Sequence, residues 1–459
     1  MKQQNEVDAL IDKVKHIHMI GIGGSGMCPL AEILHSKGYS LTGSDNNESD
    51  PLKRIRKLGI PVYMGHRPEN ISGAELIVYS AAIGADNPER QAAAEKGIPA
   101  IERSLLLGAL TRKYDMVVGV CGTHGKTTVT SMLTQILIMA DYDPTAVIGG
   151  RLPLIDSNGI AGKSEYMVCE ACEFVDTFLQ MSPDIAVLLN IDNDHLDYFK
   201  TMENLTASFS KFVHMAGRAA IVNGDDARVM QAAEGAPGEV ITFGMDKKNR
   251  YHAANIVHGP VGMAFDWMEG EKKLASIELQ IPGRHNIYNA LAAAAAARYL
   301  GVEPAAIAHA LAVFHGAGRR FEILGRFDGV TLADDYAHHP TELKATLTAA
   351  KNMDCKRVVA IFQPFTYSRT ALLLDDFIKA LSIADKVILT PIMGSRETNT
   401  YGVSSEDIAA GLSDCVVLPT FETVADYVSD IAQEGDILIT MGGGDIYKAA
   451  YMIRERLSQ

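Results

Sequence analysis

Short apolar runs alternate with longer segments of helical periodicity along most of the chain. The runs at 165–169, 185–189, 358–362 and 436–440 are each followed by polar or glycine residues. Runs of this length without period-two alternation are typical of strands that are buried on both faces of a parallel sheet. The pattern therefore predicts an α/β fold built from mostly parallel sheets.

The strands and helices group into three α/β domains, which agrees with the expectation from a length of 459 residues. We predict a Rossmann-like amino-terminal domain over 1–110 and a Rossmann-like carboxyl-terminal domain over 318–459. The central domain, 111–317, is predicted to have a mostly parallel sheet. A run of short strands at 240–281, rich in turn residues, predicts an antiparallel insert in that domain.

The clearest motif is residues 115–128, where an apolar strand runs into a glycine-bounded turn and then a helix. Gly122 and Gly125 let backbone N–H groups point at phosphate oxygens, beside the positive end of a helix that begins at Lys126. We expect Lys126 to reach the β- and γ-phosphates and Thr127 to bind Mg²⁺. The alternative is a tight turn whose lysine is only solvated. The residues predicted to bind ATP in this P-loop ATPase domain are Gly122, Thr123, Gly125, Lys126, Thr127 and Thr128.

The first glycine-rich stretch, Gly21-x-Gly23-x-x-Gly26, follows a strand and precedes a helix, as in dinucleotide-binding domains. A second strand ends at Ser44 and Asp45, about 20 positions later, where an acidic side chain suits a ribose hydroxyl. By itself this fingerprint fits NAD, FAD or a nucleotide-sugar diphosphate. Three polar residues in the following loops could equally be turn or cap residues, namely His66, Ser80 and Arg103.

Two buried strands of the central domain end in polar residues beside the phosphate loop. Glu170 and Glu173 follow one strand, and Asn190 to His195 follow the other. The chemistry there needs cations, because two unit negative charges about 4 Å apart repel by about 4 kcal/mol at an effective dielectric of about 20. Glu170 and His195 are therefore candidate Mg²⁺ ligands, although a lone His at a strand end is more often structural.

Composition excludes several classes of function and leaves the predicted fold class unchanged. The chain has 42 basic and 56 acidic residues, a formal charge of −14 and no cluster of Lys or Arg, which argues against nucleic acid as a partner. No apolar stretch is long enough to span a membrane, and the amino terminus lacks a signal core, so we expect a cytoplasmic protein without membrane insertion. Six scattered Cys, including a lone Cys169-x-x-Cys172, favour neither disulfides nor zinc.

The carboxyl-terminal part adds polar positions near glycines and helix starts. Asn286 and Asn289 lie three apart on one helix face, where their amides suit either an adenine edge or an N-terminal cap. The stretch 311–321 predicts a hinge, and its arginine pair, Arg319 and Arg320, suits phosphate. Pro340 is suited to the first turn of a helix, which would leave a His pair at its amino end.

The order of these motifs is more specific than any one of them. They run from Gly21 to Met27, Gly122 to Thr128, Asn190 to His195, His285 to Asn289, Arg319 to Phe321, Asp335 to Pro340 and Tyr367 to Arg369. In this order they resemble the Mur ligases of bacterial cell-wall synthesis over essentially the full chain, and most closely the members that add L-alanine to UDP-N-acetylmuramate. The resemblance implies a UDP-sugar in the first domain, ATP in the second and the amino acid in the third.

The resemblance also implies roles for individual residues. The predicted UDP-sugar residues are Gly23, Gly24, Ser25, Gly26, Ser44, Asp45, His66 and Ser80. Beyond the P-loop, ATP would contact Asn286, Asn289, Arg320 and Asp335. Two Mg²⁺ ions would be held by Thr127, Glu170 and His195. The amino acid would contact Tyr336, His338 and Arg369, and the predicted catalytic residues are His124, Lys126, His338 and Arg369.

The reaction that the resemblance implies is a ligation in two steps. The lactyl carboxylate of the sugar attacks the γ-phosphate of ATP to give an acyl phosphate and ADP, and the amine of L-alanine then displaces phosphate. Two departures from the family pattern leave details of the site open, Phe365 in place of a common His and Cys172 in place of Asp. Neither Lys200 nor Lys211 is placed convincingly as the carbamylated lysine of sister enzymes.

Several alternatives stay open from the sequence. Within the family, the chain could attach a preformed peptide to the same sugar. From other classes, it could be an NAD-dependent oxidoreductase built on residues 21–45, or a nucleotide-binding regulator without catalysis. The choice among alanine, glycine and serine as acceptor stays open, as does the choice between a monomer and a homodimer.

Overall fold

The computed structural model describes residues 2–258, 262–395 and 397–458. The chain forms two compact units. The first comprises Met1–Ala254, Asp266–Ser276 and Tyr288–Leu311, and the second comprises Asn255–Phe265, Ile277–Ile287 and Ala312–Gln459. The domain boundaries predicted near residues 110 and 317 stay predictions.

The amino-terminal part is a five-stranded parallel sheet with helices around it. Its strands are β1 (His16–Ile20), β2 (Ser40–Asp45), β3 (Val62–Met64), β4 (Leu76–Tyr79) and β5 (Ala100–Glu102), in the order β3-β2-β1-β4-β5. Its helices are α1 (Lys2–Lys13), α2 (Cys28–Ser36), α3 (Asp50–Lys57), α4 (Pro88–Glu95) and α5 (Arg103–Thr111). The order reverses at β1, so the glycine loop after β1 lies at the switch point where such sheets bind nucleotides.

A ten-stranded mixed sheet follows. Its strands are β6 (Met116–Cys121), β7 (Thr145–Leu152), β8 (Ser157–Ile160), β9 (Tyr166–Glu170), β10 (Ile185–Leu188), β11 (Ala219–Asn223), β12 (Glu239–Gly244), β13 (Tyr251–His258), β14 (Met263–Glu269) and β15 (Lys272–Glu278). Its helices are α6 (Lys126–Met139), α7 (Leu196–Phe199), α8 (Met202–Met215), α9 (Ala227–Ala232), α10 (His285–Tyr299) and α11 (Pro304–Ala312). Strand order is β15-β14-β13-β12-β11-β10-β6-β9-β7-β8.

The second unit contains a six-stranded sheet in the order β16-β17-β21-β18-β19-β20. Its strands are β16 (Glu322–Phe327), β17 (Val330–Asp335), β18 (Arg357–Phe362), β19 (Lys386–Leu389), β20 (Cys415–Val417) and β21 (Asp436–Met441). Its helices are α12 (Pro340–Lys351), α13 (Tyr367–Leu372), α14 (Leu374–Leu381), α15 (Ser405–Ala409), α16 (Phe421–Ile431) and α17 (Tyr447–Leu457). Every pair is parallel except β16 with β17.

The predicted fold class is confirmed. The predicted insert corresponds to β12 to β15 at one edge of the central sheet, with residues 259–261 outside the described residues. Strands β14 and β15 are neighbours joined by only two residues, so they run antiparallel, whereas β12 pairs in parallel with β11 and β13. Among the described residues, no helix is long and apolar enough to cross a membrane.

Helices α1 and α5 of the first unit were not predicted from the sequence. They pack against each other, and buried residues of both, such as Ile11 and Leu106, belong to one core that also includes Phe178 and Phe212 of the central part. The rings of Phe178 and Phe212 stack with their centroids 4.8 Å apart. A shared core of this kind fixes the amino-terminal sheet and the central sheet in one compact unit.

Candidate active site

The phosphate loop has the local geometry that its sequence predicts. Strand β6 ends at Cys121, and α6 begins at Lys126, as predicted. Gly122 and Gly125 have φ angles of +135° and +88°, which favour glycine. A methyl group on Gly125 would lie 2.6 Å from the side-chain oxygen of Asn289, so this part of the loop requires glycine for space as well as for its backbone angle.

The loop is fixed to the end of strand β10. The backbone N–H of His124 donates to the side-chain oxygen of Asn190 over 2.8 Å, and the Asn190 amide donates back to the His124 carbonyl over 2.9 Å. The Thr123 N–H donates to the Asn190 carbonyl over 3.1 Å, and the Asp192 N–H donates to the Thr123 hydroxyl over 2.9 Å. His124 Nε2 lies 3.1 Å from an Asp192 carboxylate oxygen. These contacts hold the loop rigidly, which preorganises its N–H groups for an anion.

Lys126 joins the loop to the acidic end of β9. Its ammonium donates to the carbonyls of Gly122 and Thr123 over 2.6 and 3.0 Å, and it lies 2.9 Å from the carboxylate of Glu173. Burial lowers the pKa of Lys126, but the charge and hydrogen bond of the Glu173 carboxylate, together with the charge of Glu170, raise that pKa above its ordinary value. The lysine therefore keeps its positive charge in the folded protein.

Glu170 and Thr127 form an oxygen-rich pair beside the loop. The Thr127 hydroxyl donates to one Glu170 carboxylate oxygen over 3.0 Å, and the backbone N–H of Gly149 donates to the other over 2.7 Å. A hydroxyl and a carboxylate are donors of the type that Mg²⁺ prefers, so these two residues fit such an ion. A methyl group on Gly149 would lie 2.5 Å from both carboxylate oxygens, a constraint that the sequence reasoning missed.

His195 lies next to a different carboxylate. Its Nε2 atom is 4.0 Å from Glu173 and 3.6 Å from Asp194, and its ring packs on Phe174 with a centroid distance of 4.8 Å. Its φ angle of +55° is uncommon for a residue with a side chain. Glu173, which is 1% exposed, thus stands between Lys126 and His195, and no role was predicted for it.

The glycine loop of the amino-terminal sheet is tightly enclosed. The Gly23 N–H donates to an Asp45 carboxylate oxygen over 3.0 Å, whereas a ribose contact of Asp45 stays a prediction. A methyl group on Gly26 would lie 2.7 Å from the Arg103 guanidinium, so this arginine lies against the loop at the start of α5. Ser80 adjoins Gly21, and its hydroxyl accepts from the Ala82 N–H in a turn.

Ser44 and His66 lie together over a buried carboxylate. Ser44 Oγ is 3.1 Å from His66 Nδ1, and it donates to Glu89 over 2.6 Å. Glu89 is fully buried, and it also accepts from the Asn70 amide and lies 3.7 Å from His18. Burial raises the pKa of Glu89, but the nearby His18 imidazole and the hydrogen bonds from Ser44 and Asn70 together outweigh burial and lower the pKa to about 2. No sequence pattern indicated this residue.

In the second unit, Asp335 is a buried structural acceptor. Its carboxylate accepts from the N–H groups of Phe321, over 2.8 Å, and Ala337, over 2.6 Å. Burial raises the pKa of Asp335 to about 6, although the Arg320 charge and these hydrogen bonds oppose it. Arg320 lies over the Tyr336 ring at 5.1 Å, so three of the predicted positions, Arg320, Asp335 and Tyr336, are neighbours.

The other member of the arginine pair, Arg319, is partly buried and makes several contacts with the sheet. Arg319 donates to the Asp334 carboxylate over 2.9 Å and to the carbonyls of Gly442 and Gly444 over 2.8 and 3.1 Å. A planar guanidinium with all of these acceptors fixes the ends of β17 and β21 relative to each other. Its φ of +59° and that of Phe321, +48°, mark a strained link in the predicted hinge.

His338 and Phe365 line a glycine-rich turn of the second unit. A methyl group on Gly443 would lie 3.3 Å from the His338 ring and 3.4 Å from the Phe365 ring. His338 Nδ1 is 3.1 Å from the Tyr336 carbonyl, while His339 caps α12 through its side chain. Arg369 lies in α13, after Thr366, whose φ of +66° and ψ of 142° are rare for a β-branched residue.

The two asparagines of helix α10 make different contacts. The Asn286 amide donates to the Pro282 carbonyl over 2.7 Å, which is a local contact at the helix start. Asn289 lies against Gly125 of the phosphate loop. An adenine contact for either stays a prediction.

Comparison with known proteins gives a consistent result. The chain matches the Mur ligase family, catalytic domain, over residues 16–115, the Mur ligase middle domain over 120–297, and the Mur ligase, glutamate ligase domain, over 319–444. It is 44% identical to the UDP-N-acetylmuramate–L-alanine ligase of Caldanaerobacter subterraneus, covering 96% of this chain and 97% of that protein. It is 45% identical to the ligase of the same name from Agathobacter rectalis, covering 94% and 96%.

Solved structures agree with these relatives. The UDP-N-acetylmuramate-alanine ligase MurC of Thermotoga maritima superposes with a TM-score of 0.84 at 27% identity, covering 96% of this chain and 99% of that one. A murein peptide ligase from Psychrobacter arcticus superposes with a TM-score of 0.76 at 25% identity, covering 97% and 99%.

Proposed function

This chain belongs to the Mur ligase family, and on that premise we propose that it joins L-alanine to UDP-N-acetylmuramate, a ligation in which ATP is converted to ADP and phosphate. The relatives that carry this name are 44% and 45% identical to it over nearly their whole lengths. The main support for this chemistry is the phosphate loop, which is hydrogen-bonded to Asn190. Lys126 lies at the start of the helix that follows the loop, and the oxygen atoms of Thr127 and Glu170 lie beside it.

For the first step, we assign the charge-neutralising groups to the first unit. The N–H groups of the clamped loop and the Lys126 ammonium would hold the β- and γ-phosphates in line for attack by the sugar carboxylate. Thr127, Glu170 and His195 would hold Mg²⁺, which when bound neutralises phosphate charge, and we propose two such ions. His124, oriented by Asp192, would face the reacting phosphate.

For the second step, we assign the acceptor to residues of the second unit. Tyr336, His338 and Arg369 would bind L-alanine so that its amine attacks the acyl carbon and phosphate leaves. Arg320 and Asp335, together with Asn286 and Asn289, would contact ATP. UDP would bind at the glycine loop after β1, near Ser44 and His66.

The test is phosphate release from ATP and Mg²⁺ in the presence of UDP-N-acetylmuramate, with mass detection of the product. L-alanine, glycine, L-serine and an alanine-headed tripeptide are supplied in turn as acceptors. We expect release that needs both the sugar and L-alanine, with the sugar gaining one alanine residue. Release only with the tripeptide would move the assignment to a peptide ligase, and closure on nucleotide without ADP formation would identify a binding protein.

A further inference from the structure

The hairpin formed by β7 and β8 of the central sheet packs against the amino-terminal sheet. The Ser157 hydroxyl donates to a Glu32 carboxylate oxygen of α2 over 2.7 Å. A methyl group on Gly159 would lie 2.4 Å from the Pro29 side chain, so the hairpin and the start of α2 are in direct contact. This contact places strand β8 beside the glycine loop that precedes α2.

Asn158, on β8, bonds directly to that loop. Its amide nitrogen donates to the backbone carbonyl of Ser25, and its side-chain oxygen accepts from the Arg54 guanidinium over 2.9 Å. The orientation of the amide is fixed by chemistry, because a carbonyl only accepts and a guanidinium only donates. Asn158 is 4% exposed, so its polar atoms depend on these two partners rather than on water.

The same hairpin reaches the predicted metal site at its other end. The Gly149 N–H on β7 donates to the Glu170 carboxylate over 2.7 Å. One continuous segment, residues 149–158, therefore contacts both the loop predicted to bind the UDP-sugar and the carboxylate predicted to bind Mg²⁺. No motif in the sequence assigned a function to this segment.

We propose that Asn158 is a positioning residue that holds the Ser25 turn of the glycine loop in the conformation that binds the UDP diphosphate. This inference rests on the proposed function. The loop binds with its backbone, so a shift of the Ser25 peptide changes the N–H directions that the diphosphate needs. Through the hydrogen bond of Gly149 to Glu170, the hairpin also links this loop to the carboxylate that is proposed to bind Mg²⁺.

The decisive variant is Asn158→Asp, which keeps the size and the acceptor for Arg54 but replaces the donor to Ser25 with a carboxylate oxygen. We expect KM for UDP-N-acetylmuramate to rise about tenfold, from one lost hydrogen bond and a new repulsion with the carbonyl. KM for ATP should stay within about twofold, because the phosphate loop is held by other contacts. The matched control is Asn352→Asp at an exposed position after α12, which should leave both KM values unchanged.

A merely structural role would reduce the active fraction, which lowers kcat and leaves both KM values unchanged. That result, or an equal rise in both KM values, would overturn the inference. If aspartate prevents folding, Asn158→Ala removes the donor without adding charge and gives the same test. Binding of UDP alone, measured by calorimetry, should weaken by a similar factor. An inactive wild-type protein would refute the proposed function instead, and that outcome is distinguished before any variant is compared.

Discussion

Replacing Glu89 with glutamine should destabilise the amino-terminal sheet in a pH-dependent way. The Glu89 carboxylate is fully buried and is held by the Ser44 hydroxyl and the Asn70 amide, with His18 3.7 Å away. Its pKa falls from 4.5 to about 2 on folding. Because the folded pKa is depressed, the stability that it contributes is present above pH 4.5 and is lost as the pH falls toward 2.

The magnitude follows from that shift. A difference of about 2.5 pKa units at about 1.36 kcal/mol each gives about 3 kcal/mol at pH 7. At pH 3 the same linkage leaves about 1 kcal/mol, since the unfolded carboxyl is then mostly protonated. Glu89→Gln lacks the ionisation, so the gap between it and the wild type should be about 3 kcal/mol at pH 7 and should shrink as the solution is acidified.

Hydrogen exchange of the amides in β1 and β2 measures this gap, because it reports the local opening free energy in a protein of several domains. Protection factors in the variant should fall by about 300-fold at pH 7. Glu69→Gln, at an exposed position in the neighbouring turn, is the matched control and should leave protection unchanged. Equal protection of Glu89→Gln and the wild type at pH 7, or a gap that widens on acidification, would refute the reasoning.

Three other predictions concern the two sites. Lys126→Ala should lower the rate of ADP formation by at least about 100-fold and should lower Tm, because a buried carboxylate loses its partner; turnover of ATP at the wild-type rate would contradict the assignment. Gly149→Ala should raise the Mg²⁺ concentration for half-maximal rate by about tenfold, because its methyl group displaces the Glu170 carboxylate; Gly217→Ala, in open space, should not. In the wild type, the Asp335 pKa of about 6 should make the free energy of unfolding fall as pH rises from 4 to 6, because the carboxyl then ionises more readily in the unfolded chain. Asp335→Asn should remove this fall. If urea titrations show the same pH dependence in the variant and the wild type, the prediction is wrong.

Local sequence determined what could be predicted. Helix α6 begins at Lys126, where the sequence predicts, because a glycine turn at a helix start is a local signal. The neighbourhood of Thr127 and Glu170 could also be anticipated, because parallel strands end at one edge of a sheet.

Residues whose role depends on packing could not be found in this way. Glu89 follows Pro88 in the first turn of α4, where acids are ordinarily exposed, and only the approach of β1 and β2 buries it. Gly149 lies inside a strand, and its need for a hydrogen side chain comes from a carboxylate on β9. The contact of Asn158 with Ser25 joins residues separated by 133 positions, for which no local pattern exists.

The internal contacts of Lys126 bear on which anions the loop selects. Its ammonium already contacts two backbone carbonyls and a carboxylate, so a phosphate that binds Lys126 must replace some of these contacts. A small anion such as sulfate or free phosphate gains little from that exchange, because it replaces bonds of comparable strength. A triphosphate chain gains more, since its other oxygens engage the clamped loop at the same time. If the loop binds ATP as proposed, we therefore expect it to favour linked phosphates over inorganic anions such as sulfate.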